Sequence, residues 1–434
     1  MREIPGHLEV IDNELHIGGV RCVELADEFG TPTYVYNTNR ILHNFDRLEG
    51  SLESHADREV VVYYAVKANF NPLILRLLAE HGAYADILSI DEAKFALNFG
   101  FEKDRIMFTG TSVSDSTLRY LLDAGVLINI DSFSQMRRLA RLAPKGLEIS
   151  MRWNPGAGAG FNPKVITAGA ESHGRPIKFG IEESRILEAF REAVDLGMDP
   201  IGLHQHIGSG WTGSDVEHFL QTVDSTLEVA DKVTKLLGHD LVQVDFGGGP
   251  GIPYRPDQEE FPVDVYGMGI CERVKRSGLR FEKICVESGR YIVGDSGILL
   301  TEVNTVEEKN GNLIIGNDAG FNALLRPAFY GRYDDRGNFK EAYHEVVVAN
   351  RVEGRRDYCT VAGPLCETGD LLAIKRLMTR PEEGDVLAIL DAGAYGYSMS
   401  SVYNLLPRPA EVIVPDARLV ARRESFEDLI RNFT

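Results

Sequence analysis

The chain is short of paired cysteine, of basic charge and of long apolar runs, and each shortage removes a class of protein. Its 434 residues hold five cysteines, at positions 22, 271, 285, 359 and 366, scattered and without a CxxC pair. A disulfide scaffold, a zinc ribbon and a thioredoxin-like motif are thereby excluded, and reduced thiols are expected. Lys and Arg number 46 against 65 Asp and Glu, for a net charge of −19 and a pI near 5.1. That balance argues against nucleic acid or an anionic membrane as partner. No apolar stretch reaches transmembrane length, and the polar first fourteen residues lack a signal-peptide core, which predicts a cytoplasmic protein. Internal repeats and low-complexity tracts are not evident either. What remains is a 44% hydrophobic chain, longer than one average domain and able to bury a sizeable core in one large or two unequal domains.

The stretch VVYYAVKAN, residues 61–69, anchors the reading. Val61 to Tyr64 and Val66 favour a buried strand, which leaves Lys67 at its far end. A lysine there is either a solvated strand-end charge or an amine held in a pocket for Schiff-base chemistry. Around it the pattern alternates. Short apolar pieces in residues 7–37 read as strands; Ile41, Leu42, Phe45, Leu48 and Leu52 then share one helical face. Asn71 and Pro72 open a helix that Gly82 closes, and strands follow at 84–88, 105–109, 126–130 and 147–153. Helices are expected at 91–99 and 115–124, and Ser132 with Gln135 reads as a capping box. A Gly/Pro-rich loop, 154–180, has the length of a functional loop and suits a lid. Strands at 201–207, 241–246 and 281–287, separated by helices at 214–237 and 263–276, bring the count to eight.

Eight strands alternating with helices predict an α/β fold, a (β/α)8 TIM barrel over residues 38–288. Beyond Arg290 the helical spacing stops and β-rich pieces dominate, at 297–306, 313–316, 344–348 and 386–389. These predict a second, mainly β domain, Greek-key barrel-like, made of residues 289–434 together with 1–37.

On the barrel the chemically conspicuous residues fall at the C-terminal strand ends, where barrels hold their active sites: Lys67, Asp86, Ser89, Arg152, His206, Ser209, Gly247, Gly248, Gly249, Glu287, Gly289 and Arg290. Three consecutive glycines let backbone N–H groups approach an anion, and Arg290 adds a guanidinium fork, so the loops after strands seven and eight read as a phosphate cradle rather than a flexible turn. Phosphate, lysine amine and an isolated carboxylate together suggest pyridoxal 5′-phosphate (PLP), with Glu287 as partner of the pyridine nitrogen. His204 and His206, two apart on a strand and hence on one face, admit a metal site as an alternative, but no further His-rich cluster supports one; the reading preferred is no metal, with His206 stacked on the cofactor ring.

The stretches YYAVKAN, GLHQHIGSG, DFGGGPGIPY, VESGRYIVGDSG, NDAGFNALLRPAFYG, GPLCETGD and GAYGYSMSSVYN, in this order, resemble the PLP-dependent diaminopimelate decarboxylases of fold-type III, the group of alanine racemase and ornithine decarboxylase. The resemblance implies decarboxylation of meso-2,6-diaminopimelate to L-lysine and CO2. It implies that Lys67 carries PLP, that His206 stacks on the ring, that Ser209, Gly247 to Gly249, Gly289 and Arg290 hold phosphate, and that Glu287 binds the pyridine nitrogen. Asp86, Arg152 and Tyr395 complete the cofactor site. Arg290, Arg326, Tyr330, Glu367 and Tyr395 are implied to bind substrate, and Cys366 to donate a proton. It also implies a homodimer, with Cys366 and Glu367 entering from the partner subunit. A distal carboxylate and a distal ammonium do require a cationic fork and an acid. Departures are Ser288 in place of a frequent proline, Thr368 in place of a serine, and a longer loop at 169–179; they concern loop shape. Alternatives are a related decarboxylase acting on ornithine, arginine or a carboxylated polyamine, a racemase, and a non-catalytic PLP carrier.

Overall fold

The computed structural model describes residues 1–334 and 336–433 and divides into two compact units. One comprises Asn44–Ile252 and Glu259–Tyr291; the other comprises Met1–His43, Pro253–Gln258 and Ile292–Thr434.

In the first unit eight parallel strands close on themselves. They are β1 (Glu59–Ala65), β2 (Tyr84–Ile87), β3 (Ile106–Phe108), β4 (Leu127–Ile130), β5 (Leu147–Asn154), β6 (Met198–His204), β7 (Gln243–Asp245) and β8 (Lys283–Ser288). Neighbours pair in sequence order, and β8 returns to β1 with Glu287 opposite Tyr63, which closes the barrel. The strands are buried runs rather than alternating ones, as parallel strands covered by helices must be.

Local chemistry sets the helices between them. Asn71 Oδ1 accepts the Leu73 N–H and Pro72 occupies the first turn of Pro72–Glu80; Ser114 caps Asp115–Ala124, which ends on Gly125 in the left-handed region. Each pairing satisfies backbone groups that a helix end leaves open. The expected box of Ser132 and Gln135 forms only by half. Ser132 Oγ accepts the Gln135 N–H, but Gln135 Oε1 takes the Asp131 N–H instead of that of Ser132. The sixth strand begins at Met198 and ends at His204, so His206 lies beyond it in a loop and the two histidines do not share a strand. The stretch 154–180 is less irregular than expected. It holds a 3₁₀ turn, Pro163–Val165, and a minimal hairpin of Glu171–Ser172 with Arg175–Pro176.

The second unit is mainly sheet. Its largest sheet runs in the order Leu371–Thr379, Arg356–Ala362, Asn312–Asn317, Gly297–Lys309, Thr33–Asn37, Ala410–Val414, Arg418–Ala421, with Val386–Ile389 and Val346–Val348 branching from Gly297–Lys309. The N-terminal segment belongs here because Thr33–Asn37 pairs antiparallel with Gly297–Lys309 and parallel with Ala410–Val414. The reading of residues 7–37 as strands alone needs correction: Cys22–Phe29 is a helix, and it buries Cys22, Leu25 and Ala26 against Val35, Ile298, Leu300 and Ala388. Among the described residues no helix is long and apolar enough to cross a membrane, and all five cysteines are free thiols.

Candidate active site

Each site residue of the barrel unit is placed by a strand end. β1 runs into a 3₁₀ turn, Val66–Ala68, which lifts Lys67 off the strand. Its Nζ lies 2.6 Å from Asp86 Oδ2 of β2. Asp86 is fully buried and its other oxygen accepts a hydrogen bond from Thr109 Oγ1, just past β3. Burial pushes the Asp86 carboxyl above its ordinary range, and the Lys67 ammonium opposes that push. The amine is thus oriented by a carboxylate that Thr109 holds in turn.

On the other side of β1 from Asp86, β8 contributes Glu287. Cys285 and Glu287 stand two apart, so both face the same side of the strand. His204 Nε2, from the end of β6, lies 2.9 Å from Glu287 Oε1, and His206 Nδ1 lies 3.4 Å from Oε2. Gly248 N–H donates to His206 Nδ1 at 3.1 Å, which assigns the ring proton to Nε2. Burial holds His204 far below its ordinary value and brings His206 down to about 3, against the pull of Glu287, so both rings are neutral at physiological pH. Asp245, at the end of β7, accepts the Gly247 N–H at 2.8 Å; burial, then the Glu287 charge, push it well above the usual carboxylate range.

One consequence is measurable. Between pH 6.5 and about 3 the unfolded chain binds a proton at residue 206 that the folded chain refuses, so stability falls as pH drops through that window. The melting temperature of the cofactor-free protein is expected to decline from pH 7 to pH 4.5, and the slope to be shallower in His206→Gln. Identical slopes would remove the role assigned to that ring.

The loops after β7 and β8 are pressed together. A Cβ at Gly247 would lie 2.1 Å from Gln205 O, at Gly248 2.3 Å from Glu287 O, at Gly249 2.1 Å from the Trp211 ring, and at Gly289 2.6 Å from Ala68 Cβ. The Trp211 N–H donates to Gly249 O and Trp211 O accepts the Gly251 N–H, so the glycine loop is tied to the loop after β6. Arg290 is buried, stacks over Phe161 with its Cζ 4.9 Å from the ring centroid, and reaches Ser209 Oγ at 3.4 Å. Arg152 is buried over Phe179, and its Nη2 has no hydrogen-bond partner among the described residues.

The remaining predicted residues lie in the sheet unit. Arg326 is 1% exposed, stacked over Tyr254 at 4.3 Å and 5.6 Å from the Tyr330 ring. Cys366 is exposed, with Sγ 3.4 Å from Asn404 Oδ1, and Glu367 accepts the Tyr403 hydroxyl at 2.8 Å. Tyr395 takes a left-handed backbone, φ 56°. One conspicuous residue of the sequence is reassigned: Ser89 caps the helix Ile90–Asn98 through the Glu92 N–H. Sequence reading missed Thr109, Asp245, Tyr254 and Tyr403. Only Asp245 had a local signal, its position two residues before the first glycine of the loop.

His204, Asp245 and Glu287 bring ligand atoms within 4.8 Å of one another, a different grouping from the His204 and His206 pair that the sequence offered for a metal. The donor set as a whole suits PLP. It provides one primary amine for a carbonyl carbon, two guanidiniums, a hydroxyl and a tight glycine loop for phosphate and phenolate oxygens, and a buried carboxylate for a ring nitrogen. The unpartnered Arg152 Nη2 is the buried donor such a ligand would satisfy.

Residues 39–294 match the family described as pyridoxal-dependent decarboxylase, pyridoxal binding domain. Diaminopimelate decarboxylase of Methanothermobacter thermautotrophicus is 45% identical over 98% of this chain and 96% of its own length. The crystal structure of diaminopimelate decarboxylase from M. jannaschii in co-complex with L-lysine is similar at a TM-score of 0.89 and 30% identity, covering 99% of this chain and 98% of that one. The enzyme from Helicobacter pylori complexed with L-lysine is similar at a TM-score of 0.84 and 32% identity, covering 94% and 98%. On the strength of the lysine, carboxylate and glycine-loop arrangement and of these matches, the chain belongs to the diaminopimelate decarboxylase family of PLP-dependent decarboxylases.

Proposed function

We propose that the protein decarboxylates meso-2,6-diaminopimelate to L-lysine and CO2. The observation that carries the chemistry is the Lys67 to Asp86 contact of 2.6 Å in a barrel mouth that also holds Glu287 and Arg290. The substrate comes from the relatives that match nearly the whole chain. Bound PLP supplies an electron sink for the pair left at Cα when the α-carboxylate departs. Lys67 would supply the amine that holds the cofactor, and Asp86 orients that amine. Glu287 would accept a hydrogen bond from a protonated ring nitrogen, a charged bond of about 1.5 to 3 kcal/mol that would strengthen the sink. His206 would pack on the ring, while Ser209, Arg290, Gly289 and the three glycines would hold the phosphate, with Arg152 available to a further oxygen.

The sheet unit supplies the discrimination in this reading. Arg326 and Tyr330, with Arg290 and Tyr395, take the distal carboxylate, Glu367 takes the distal ammonium, and Cys366 delivers a proton to Cα. A guanidinium held between Tyr254 and Tyr330 is pre-organised for a carboxylate at small entropic cost. We further propose a homodimer in the cytoplasm, in which Cys366 and Glu367 serve the partner's site; the exposure of Cys366 and the free thiols support this.

The test is CO2 release from PLP-loaded protein given meso-diaminopimelate, ornithine, lysine and arginine separately, with amine products identified. Diaminopimelate alone is expected to turn over, to lysine. Turnover of ornithine or arginine in its place would refute the roles of Arg326 and Glu367 while keeping the cofactor site.

A further inference from the structure

Glu287 is not an isolated carboxylate. His204, Asp245 and Glu287 occupy the ends of β6, β7 and β8, and the register lays them side by side: His204 opposite Asp245, and Asp245 opposite Cys285, two residues before Glu287. All three are buried, and Asp86 is a further buried acid. A carboxylate so buried depends on neighbouring protein groups to fix its rotation. Two imidazoles lie beside it, and only one of them is free to donate. His204 Nε2 meets one oxygen at 2.9 Å, and His206 Nδ1 lies 3.4 Å from the other. The His206 Nδ1 is already committed as acceptor to the Gly248 N–H, so it cannot donate to Glu287 while the ring is neutral. His204 is therefore the proton donor of the pair.

We propose that His204 is a positioning residue for the ring-nitrogen carboxylate: its Nε2–H anchors Glu287 Oε1 and fixes the rotation of the carboxylate, leaving Oε2 for the cofactor. Asp245 is the silent member. Its Oδ1 is taken by the Gly247 N–H and its Oδ2 has no hydrogen-bond partner among the described residues, as suits an acid that keeps its proton beside a charged neighbour. The His204 Nδ1 likewise has no hydrogen-bond partner among the described residues, so the ring is held by hydrogen bonding through its contact to Glu287. This inference rests on the reading of Glu287 as partner of the pyridine nitrogen.

The experiment compares His204→Phe, His204→Gln, Glu287→Gln and the double variant His204→Phe/Glu287→Gln. Phenylalanine keeps a planar ring and removes the donor; the glutamine amide nitrogen occupies nearly the place of Nε2. Each PLP-loaded protein is read by the absorption band of its bound cofactor, by PLP affinity, and by kcat and KM for diaminopimelate. His204→Phe is expected to shift the cofactor band and lower kcat by about 10- to 100-fold with KM little changed, as loss of an orienting hydrogen bond does elsewhere. His204→Gln is expected to recover both to within a few-fold, and the double variant to be no worse than Glu287→Gln alone. A normal band and kcat in His204→Phe, or additive losses in the double variant, would overturn the proposal while a strong Glu287→Gln effect left the Glu287 assignment standing. An unchanged Glu287→Gln would overturn both. Loss in His204→Phe and His204→Gln alike, reversed by an added divalent cation or mimicked by chelation of the parent, would assign the cluster to a metal and overturn it as well.

Discussion

Lys67→Ala is expected to abolish turnover, with kcat down at least about 10³-fold, the scale on which loss of a covalent or acid–base group acts. The reason is structural as well as chemical. Lys67 is presented by a 3₁₀ turn at the end of β1 and is held at 2.6 Å by Asp86, and alanine leaves that buried carboxylate without its cation. Lys67 is partly exposed but Asp86 is not, so removing the cation strands a buried carboxylate, whose hold on a proton strengthens, and the site loses the amine together with the contact that oriented it. Borohydride treatment followed by mass measurement should attach PLP to the parent chain and not to the variant. A variant that keeps parental turnover would end the assignment. The same chain tests the dimer. Mixed under subunit exchange with Cys366→Ser, it should regain turnover if each site draws Cys366 from the partner, because one of the two mixed sites then has both groups intact. Two inactive variants that stay inactive together, despite shown exchange, would place Lys67 and Cys366 of one site on the same chain.

Gly249→Ala is the second large effect. The backbone there has φ +146°, outside the range of L side chains, and the new Cβ would lie 2.1 Å from the Trp211 ring. Strain of about 1 to 3 kcal/mol and overpacking of about 1 to 3 kcal/mol act together, because Trp211 is buried and tied to the same loop by backbone hydrogen bonds. The loop must move or the tryptophan must leave. PLP affinity, measured by titrating cofactor absorbance, is expected to weaken by at least about tenfold, an outward shift of the loop costing more than 1.4 kcal/mol of phosphate contact. Gly238→Ala is the control: Gly238 also has positive φ, but its Cβ would meet nothing within 4 Å. Equal loss in both variants would show that backbone strain alone, and not the close approach to Trp211, governs the loop.

Much of this molecule was legible before folding. The barrel followed from eight strand signals and from helix starts such as Asn71 and Pro72, because propensity, periodicity and capping act within a few residues of each other. Lys67, Glu287 and the glycine triplet followed for a related reason: a strand end places the next residue at a mouth whatever the remote neighbours are. The misses are also instructive. The helix Cys22–Phe29 was readable, since Cys22, Leu25, Ala26 and Phe29 keep helical spacing, but neighbouring β-rich pieces masked it. The Ser132 and Gln135 box failed by one residue because the glutamine side chain found the Asp131 N–H.

What the amino-acid order determined by itself is the rhythm of elements and the kinds of chemical group at their ends. What only the tertiary structure decided is which of those groups share a dry space. Thr109 belongs to Asp86, and His204 and Asp245 to Glu287, across strands tens of residues apart in sequence. Their ionisation depends on how much water the closed barrel removes from all of them together. Register and desolvation are sums over the whole ring of strands, so no window of sequence contains them.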